Sequence, residues 1–100
     1  MSEWLRELIL AVGDVVECPS RYKDDLGYWV GGREIAHLEA ENVLDLRMTR
    51  AAISARRAEL KADPRVELRS GSDWLTVRVA GPEDAAFVTD LVRQAAAANR

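Results

Sequence analysis

Two turn signals enclose a single strand, and they constrain this chain more than any other feature. Gly31-Gly32 precedes, and Glu41-Asn42 follows, the run Arg33–Ala40. Glycine accepts positive φ without a steric penalty, and asparagine tolerates the left-handed region. Both dipeptides therefore fit two-residue hairpin loops. Three consecutive antiparallel strands follow, at 28–30, 33–40 and 43–48. Parallel pairing would need crossovers of a dozen or more residues, which these turns leave no room for.

The flanking segments alternate between helix and strand patterns. Trp4, Leu5, Leu8, Ile9 and Val12 recur at helical spacing, so residues 3–12 are expected as an amphipathic helix. Ser2 is its expected N-cap and Gly13 its left-handed terminator. A short strand at 15–18 stops at Pro19, and the polar stretch 20–25 reads as a loop. Thr49 suits the N-cap of a helix over 50–62, which Asp63-Pro64 ends. Residues 66–69 and 74–80 form a hairpin around the turn 70–73, with Leu75, Val77 and Val79 on one face. Gly81-Pro82 opens the last helix, where Glu83 and Asp84 favour the positive end of its dipole. Phe87, Val88, Leu91, Val92 and Ala95 are its apolar stripe, and the final Ala-Ala-Asn-Arg is expected to fray. The fold class expected is α+β in one domain, residues 1–100: an antiparallel sheet of five to six strands with helices on one face, in the order α-β-β-β-β-α-β-β-α.

Composition narrows the partners. The 14 basic and 17 acidic residues give a net charge of −3 and are interleaved. A general polyanion binder needs the opposite balance, so nucleic acid is an unlikely partner on charge alone. The one cysteine, Cys18, forms no internal disulfide and belongs to no zinc spacing. Its neighbours Val15 and Val16 suggest a buried or half-buried thiol. No apolar run approaches the ~18 residues of a membrane span, and residues 1–4 do not open a signal peptide. A cytoplasmic location is the expectation.

The two turns also assign faces, because directly opposed residues share one. If Glu41-Asn42 closes a regular hairpin, His37 lies opposite Leu46 and Ile35 opposite Met48. Ile35, His37, Leu44, Leu46, Met48 and Tyr28 then face the helices. Trp29, Glu34, Ala36, Leu38, Asp45 and Arg47 face outward, joined by Trp74, Thr76 and Arg78 from the later hairpin. A one-residue slip would exchange the faces. The outer face is either a solvated surface with cross-strand ion pairs or, given its tryptophans and arginines, a binding surface.

His37 is the single histidine and the obvious acid/base candidate. Alternation places Glu39, but not Glu34, on its face. His37 and Glu39 offer two metal donors, but no second histidine completes a set, so no metal or cofactor is assigned. There is no nucleophile elbow, phosphate loop or dinucleotide glycine fingerprint. Arg50, Arg57 and Lys61 share one side of the 50–62 helix, the pattern of a solvated face.

The run Gly-Gly-Arg-Glu-Ile-Ala-His-Leu-Glu at 31–39, Val-Leu-Asp-Leu at 43–46 and Ser-Gly-Ser-Asp-Trp-Leu-Thr-Val at 70–77 together resemble the small luciferase-domain family. Its pattern carries Arg-Glu-x-x-His-x-His on a strand and a later Ser-Gly-Trp strand. The resemblance spans most of 15–96 and carries over to Glu34, His37 and Trp74. Glu39 stands where the pattern has its second histidine. The histidine before the tryptophan strand is absent, with Leu68 and Arg69 in that region. The resemblance implies a domain of largely unknown biochemical role.

Two functions are therefore expected from different classes. The first is a partner-binding or homodimerising module that uses the outer sheet face, with Trp29 and Trp74 at its centre. The second is a small-molecule-binding or enzymatic domain with its site near His37, Glu34 and Trp74. Candidate binding residues across the two are Trp29, Glu34, His37, Glu39, Arg47, Trp74 and Arg78.

Overall fold

The computed structural model describes residues 2–100. Six strands form one antiparallel sheet: β1 (Val16–Pro19), β2 (Leu26–Val30), β3 (Arg33–Ala40), β4 (Val43–Arg47), β5 (Val66–Leu68) and β6 (Trp74–Arg78), in the spatial order β1-β2-β3-β4-β6-β5. Helix α1 (Glu3–Ala11) precedes the sheet, α2 (Arg50–Ala55) and α3 (Arg57–Ala62) join β4 to β5, and α4 (Ala85–Asn99) ends the chain behind a single 3-10 turn at Pro82–Asp84. This is the α+β arrangement expected, with helices on one face.

Both hairpin turns form as their residues require. Gly31 and Gly32 take φ of 55° and 82°, and Asn42 takes 57°. The helix-facing surface of the sheet carries Tyr28, Ala36, Leu44, Leu46, Leu75 and Val77, each at most 1% exposed. They pack with Leu5 and Ile9 of α1 and with Val88, Leu91, Val92, Ala95 and Ala96 of α4. Each fully buried aliphatic side chain contributes roughly 1.5–3 kcal/mol, so this layer holds the fold. Arg6 of α1 grips Glu17 through Nε and Nη2 at 2.8 and 3.0 Å, and the Tyr28 hydroxyl donates to the same carboxylate at 2.9 Å.

Several local expectations are corrected. Ser2 stands at the α1 N-cap position, but its hydroxyl donates to Asn42 Oδ1 and does not cap. The left-handed residue after α1 is Asp14, not Gly13. The 50–62 helix breaks at Arg56, where φ is −117° and ψ 18°. The Arg56 guanidinium binds Glu59, Asp90 and Gln94, tying the break to α4. Arg50 is thereby set apart from Arg57 and Lys61, its Nε donating to the Gly71 carbonyl. The C-terminus does not fray: α4 runs to Asn99, whose buried amide donates to the Arg47 and Ala95 carbonyls. Cys18 is exposed, because β1 is the sheet edge.

The consequential correction is one of register. Ala40 pairs with Val43 as the turn requires, but the next pairs are Leu38 with Leu44 and His37 with Asp45. Glu39 is the extra residue of a β-bulge. A second irregularity between Tyr28 and Trp29 pairs Tyr28 with Ala36 and Trp29 with Glu34, which makes Ile35 extra. These bulges send Ala36 and Leu38 to the helix side and bring His37 to the outer side. They also put Glu34 and His37 on one face, although an uninterrupted strand would separate them.

Candidate functional site: a buried histidine between carboxylates

One row crosses the outer face from strand to strand: Cys18, Gly27, His37, Asp45, Thr76 and Glu67. At its centre His37 is 5% exposed, Asp45 3% and Thr76 4%, with Glu34 beside them at 4%. A sheet face turned away from the helices ordinarily meets water. Here it buries an imidazole and two carboxylates, which is costly unless each is paired.

The pairing is extensive. His37 Nδ1 lies 3.0 Å from Glu34 Oε2, and Nε2 lies 3.2 Å from Asp45 Oδ2 and 3.8 Å from Glu39 Oε2. Glu34 is held by the Ser20 hydroxyl and by the Arg21 backbone N–H, the latter donating to Oε1 at 2.6 Å. Asp45 Oδ1 accepts from Thr76 Oγ1 at 2.7 Å and from Arg69 Nη2 at 3.0 Å. Burial pushes the Asp45 carboxyl up. The hydrogen bond from the Thr76 hydroxyl and the positive charge of Arg69 outweigh it and hold Asp45 below its ordinary range.

Gly27 makes room for this arrangement. A Cβ there would stand 2.5 Å from Glu34 Oε2, so the carboxylate occupies the volume a side chain would fill. A strap formed by residues 20–25 lies over the same end of the sheet. The Ser20 N–H donates to the Asp25 carbonyl at 2.8 Å, and Ser20 Oγ accepts from the backbone of Tyr22 and Lys23. Lys23 Nζ reaches Glu39 Oε1 at 2.7 Å. Tyr22 packs edge-on to Trp74 with centroids 5.4 Å apart, and the His37 ring lies 5.0 Å from Trp74 and 5.7 Å from Tyr22. The imidazole thus has carboxylates at both nitrogens and aromatic rings along one side.

The sequence-derived candidates separate accordingly. Glu34, His37, Glu39 and Trp74 come together. Trp29 sits one strand away opposite Glu34, its indole N–H buried without a partner among the described residues. Arg47 pairs in register with Trp74 but turns its guanidinium to Asp73 at 3.4 Å. Arg78 is exposed, pairs with Glu67 and stands outside the cluster. Sequence reasoning placed Asp45 and Thr76 on the outer face without naming them as binding residues, and did not single out Arg69, Ser20, Tyr22 or Lys23. Asp45 alone carried a signal, as a carboxylate within the apolar run Val-Leu-Asp-Leu. A cleft of about 400 Å³ opens beyond Arg69, lined also by Arg57, Lys61, Val66, Leu68 and Ser70. Of the cluster's residues only Arg69 lines it.

Among the described residues, no helix is long and apolar enough to cross a membrane. No curated protein and no solved structure matches the chain. The model of the luciferase domain matches residues 32–95, which takes in β3 and the bulge, β4, β6 and most of α4. The chain belongs to the luciferase-domain family, a small family of largely unknown function.

Proposed function

We propose that this domain binds a small molecule or ion on its outer sheet face, at the cluster of His37, Glu34 and Trp74. The observation that carries this reading is the burial of His37 between two carboxylates, at 3.0 and 3.2 Å, on the side of the sheet away from the helical core. Titratable groups buried together with specific charge partners make a functional-site candidate. The rings of Tyr22 and Trp74 supply an apolar wall, and Glu39, Lys23 and Arg69 supply polar anchors. Such a division of labour suits a compact polar ligand with a flat or apolar part. The strap at 20–25 is tethered mainly through side chains, so it can admit a ligand without disturbing the core.

Self-association through Trp29 and Trp74 is the other reading of this surface. Two observations favour the ligand reading over it. Both indoles are already half-buried within one chain, and the groups around Trp74 converge on His37 and not outward.

NMR titration of chelator-treated protein against a broad metabolite panel tests the proposal. Binding should shift the His37 ring and the Trp74 indole together, and leave the α1 and α4 amides in place. A panel that moves neither, or a ligand that maps to the helices, would contradict it.

A further inference from the structure

We infer that His37 Nε2, Glu39 and Asp45 form a binding site for one divalent first-row transition-metal ion, with Glu34 as the outer carboxylate that orients the imidazole. The inference rests on the reading of this cluster as a binding site and names the class of ligand.

Hydrogen-bond accounting around His37 is the first support. Glu34 is about as buried as His37, and it accepts from Ser20 and from the Arg21 N–H. It is therefore an acceptor toward Nδ1, which places the proton of a neutral imidazole on Nδ1. Nε2 is then a bare lone pair, nine-tenths buried, aimed at the carboxylates of Asp45 and Glu39. In that tautomer three acceptors point at one another, a gap that a metal ion or a second ring proton can close.

Geometry is the second support. One ligand atom from each of His37, Glu39 and Asp45 can be chosen so that all lie within 4.8 Å of one another. Two ligands bound at about 2.0–2.2 Å to one ion stand roughly 2.8–3.6 Å apart, for octahedral to tetrahedral angles. The Nε2–Asp45 separation of 3.2 Å already fits, and the 3.8 Å to Glu39 needs only a small side-chain rotation. The bulge at Glu39 aims its carboxylate toward His37, a use to which bulges beside sites are often put.

The surrounding contacts match the outer sphere of a metal centre. A carboxylate on the far ring nitrogen, as Glu34 provides, fixes the tautomer of a metal-bound histidine and raises its basicity. Arg69 and Thr76 hold Asp45 by Oδ1, leaving Oδ2 toward His37. Lys23 likewise holds Glu39 by Oε1 and leaves Oε2. One imidazole and two carboxylates suit zinc, manganese or iron(II), with open positions for water or a ligand from the Tyr22–Trp74 side. The competing occupant of the gap is a proton, which would close the cluster as an ion pair.

Calorimetric titration of chelator-treated protein with Zn2+, repeated with Co2+ and read by its visible absorption, tests the inference. One ion should bind per chain, and bound cobalt should show the stronger bands of a low-coordinate site. Glu39→Gln, at an exposed position, should weaken zinc at least about tenfold, and His37→Asn should abolish the cobalt bands. Glu34→Gln, which touches no metal, should cost about 10- to 100-fold. Circular dichroism confirms that each variant is folded. Absence of zinc binding to the unaltered protein, or binding that folded Glu39→Gln and Glu34→Gln leave unchanged, would overturn the inference. Zinc bound at the cluster with a metabolite panel silent in its presence would sustain the metal and narrow the broader proposal to the ion alone. Metabolites that bind while zinc does not would overturn only the metal.

Discussion

The two faces of the sheet bury their residues by opposite means. The helix side is apolar at its centre, with Leu44, Leu46, Leu75 and Val77 fully buried under α1 and α4. The outer side buries Glu34, His37, Asp45 and Thr76 with no helix to cover them. Its cover is a strap, a tryptophan and an arginine. Apolar burial stabilises whatever it touches, whereas buried ion pairs often add little and are costly to break. The helix side therefore accounts for why the chain folds, and the outer side calls for a different explanation, which is the role the proposed binding site fills.

The sharpest break between the faces is in stability. Leu46→Ala opens a cavity in the helix-side core and should cost about 2–5 kcal/mol by chemical denaturation. Next in size, Asp45→Ala strips Thr76 and Arg69 of a shared acceptor. Since Arg69 is partly exposed and can turn to water, the cost should be nearer about 1–3 kcal/mol. A loss for Asp45→Ala above that for Leu46→Ala would reverse the assignment of roles.

Gly27→Ala touches only the outer face. The new methyl group would meet the Glu34 carboxylate, so the expected cost is about 1–2 kcal/mol, accompanied by displacement of Glu34 from His37. The His37 ring resonances should move while the α4 amides do not. A change spread through α4 instead would show that the faces are coupled.

The polar cluster around Arg65 sharpens the comparison because it needs no ligand. Arg65 donates to Asp63 at 2.8 Å and to Asp84 at 2.9 Å, and its guanidinium lies 3.8 Å over the Phe87 ring. The Arg65 hydrogen bonds hold the Asp63 carboxyl below its ordinary value. For Asp84 the Ala80 backbone N–H and then Arg65 do the same. A carboxyl whose folded pKa is depressed adds stability above its unfolded pKa, about 4, and loses it as pH falls through the folded value. The melting-temperature gap between the unaltered protein and Arg65→Met should be present at pH 7 and vanish on acidification below that range. A gap constant down to pH 2 would contradict this account. The smallest effect is expected at Cys18, exposed on the edge strand, where alkylation should leave stability unchanged.

Sequence and structure agree where residue type alone decides the backbone. The Gly31-Gly32 and Asn42 turns, the strands around them and the apolar stripe of α4 follow from φ preferences and hydrophobic period. The bulges at Ile35 and Glu39 leave no such mark. Neither residue is unusual for a strand, so regular pairing from a correctly placed turn sent His37 to the wrong face. That slip also hid the Glu34–His37 contact, which depends on one extra residue between them. Ser20, Tyr22 and Lys23 were invisible for another reason: a polar loop gives no sign of where it folds back. The Gly27 position, in contrast, is intelligible only once Glu34 is seen to fill the space above it.

The state of the His37 ring tests most directly whether the outer cluster is an open site or a closed ion pair. Long-range 1H–15N correlation on the chelator-treated protein near neutral pH distinguishes the two ring nitrogens. The account predicts a proton on Nδ1, facing Glu34, and a bare Nε2 that shifts when Zn2+ is added. A proton fixed on Nε2 and unmoved by zinc would mean that the ring is locked to Asp45 as structure, and would contradict it.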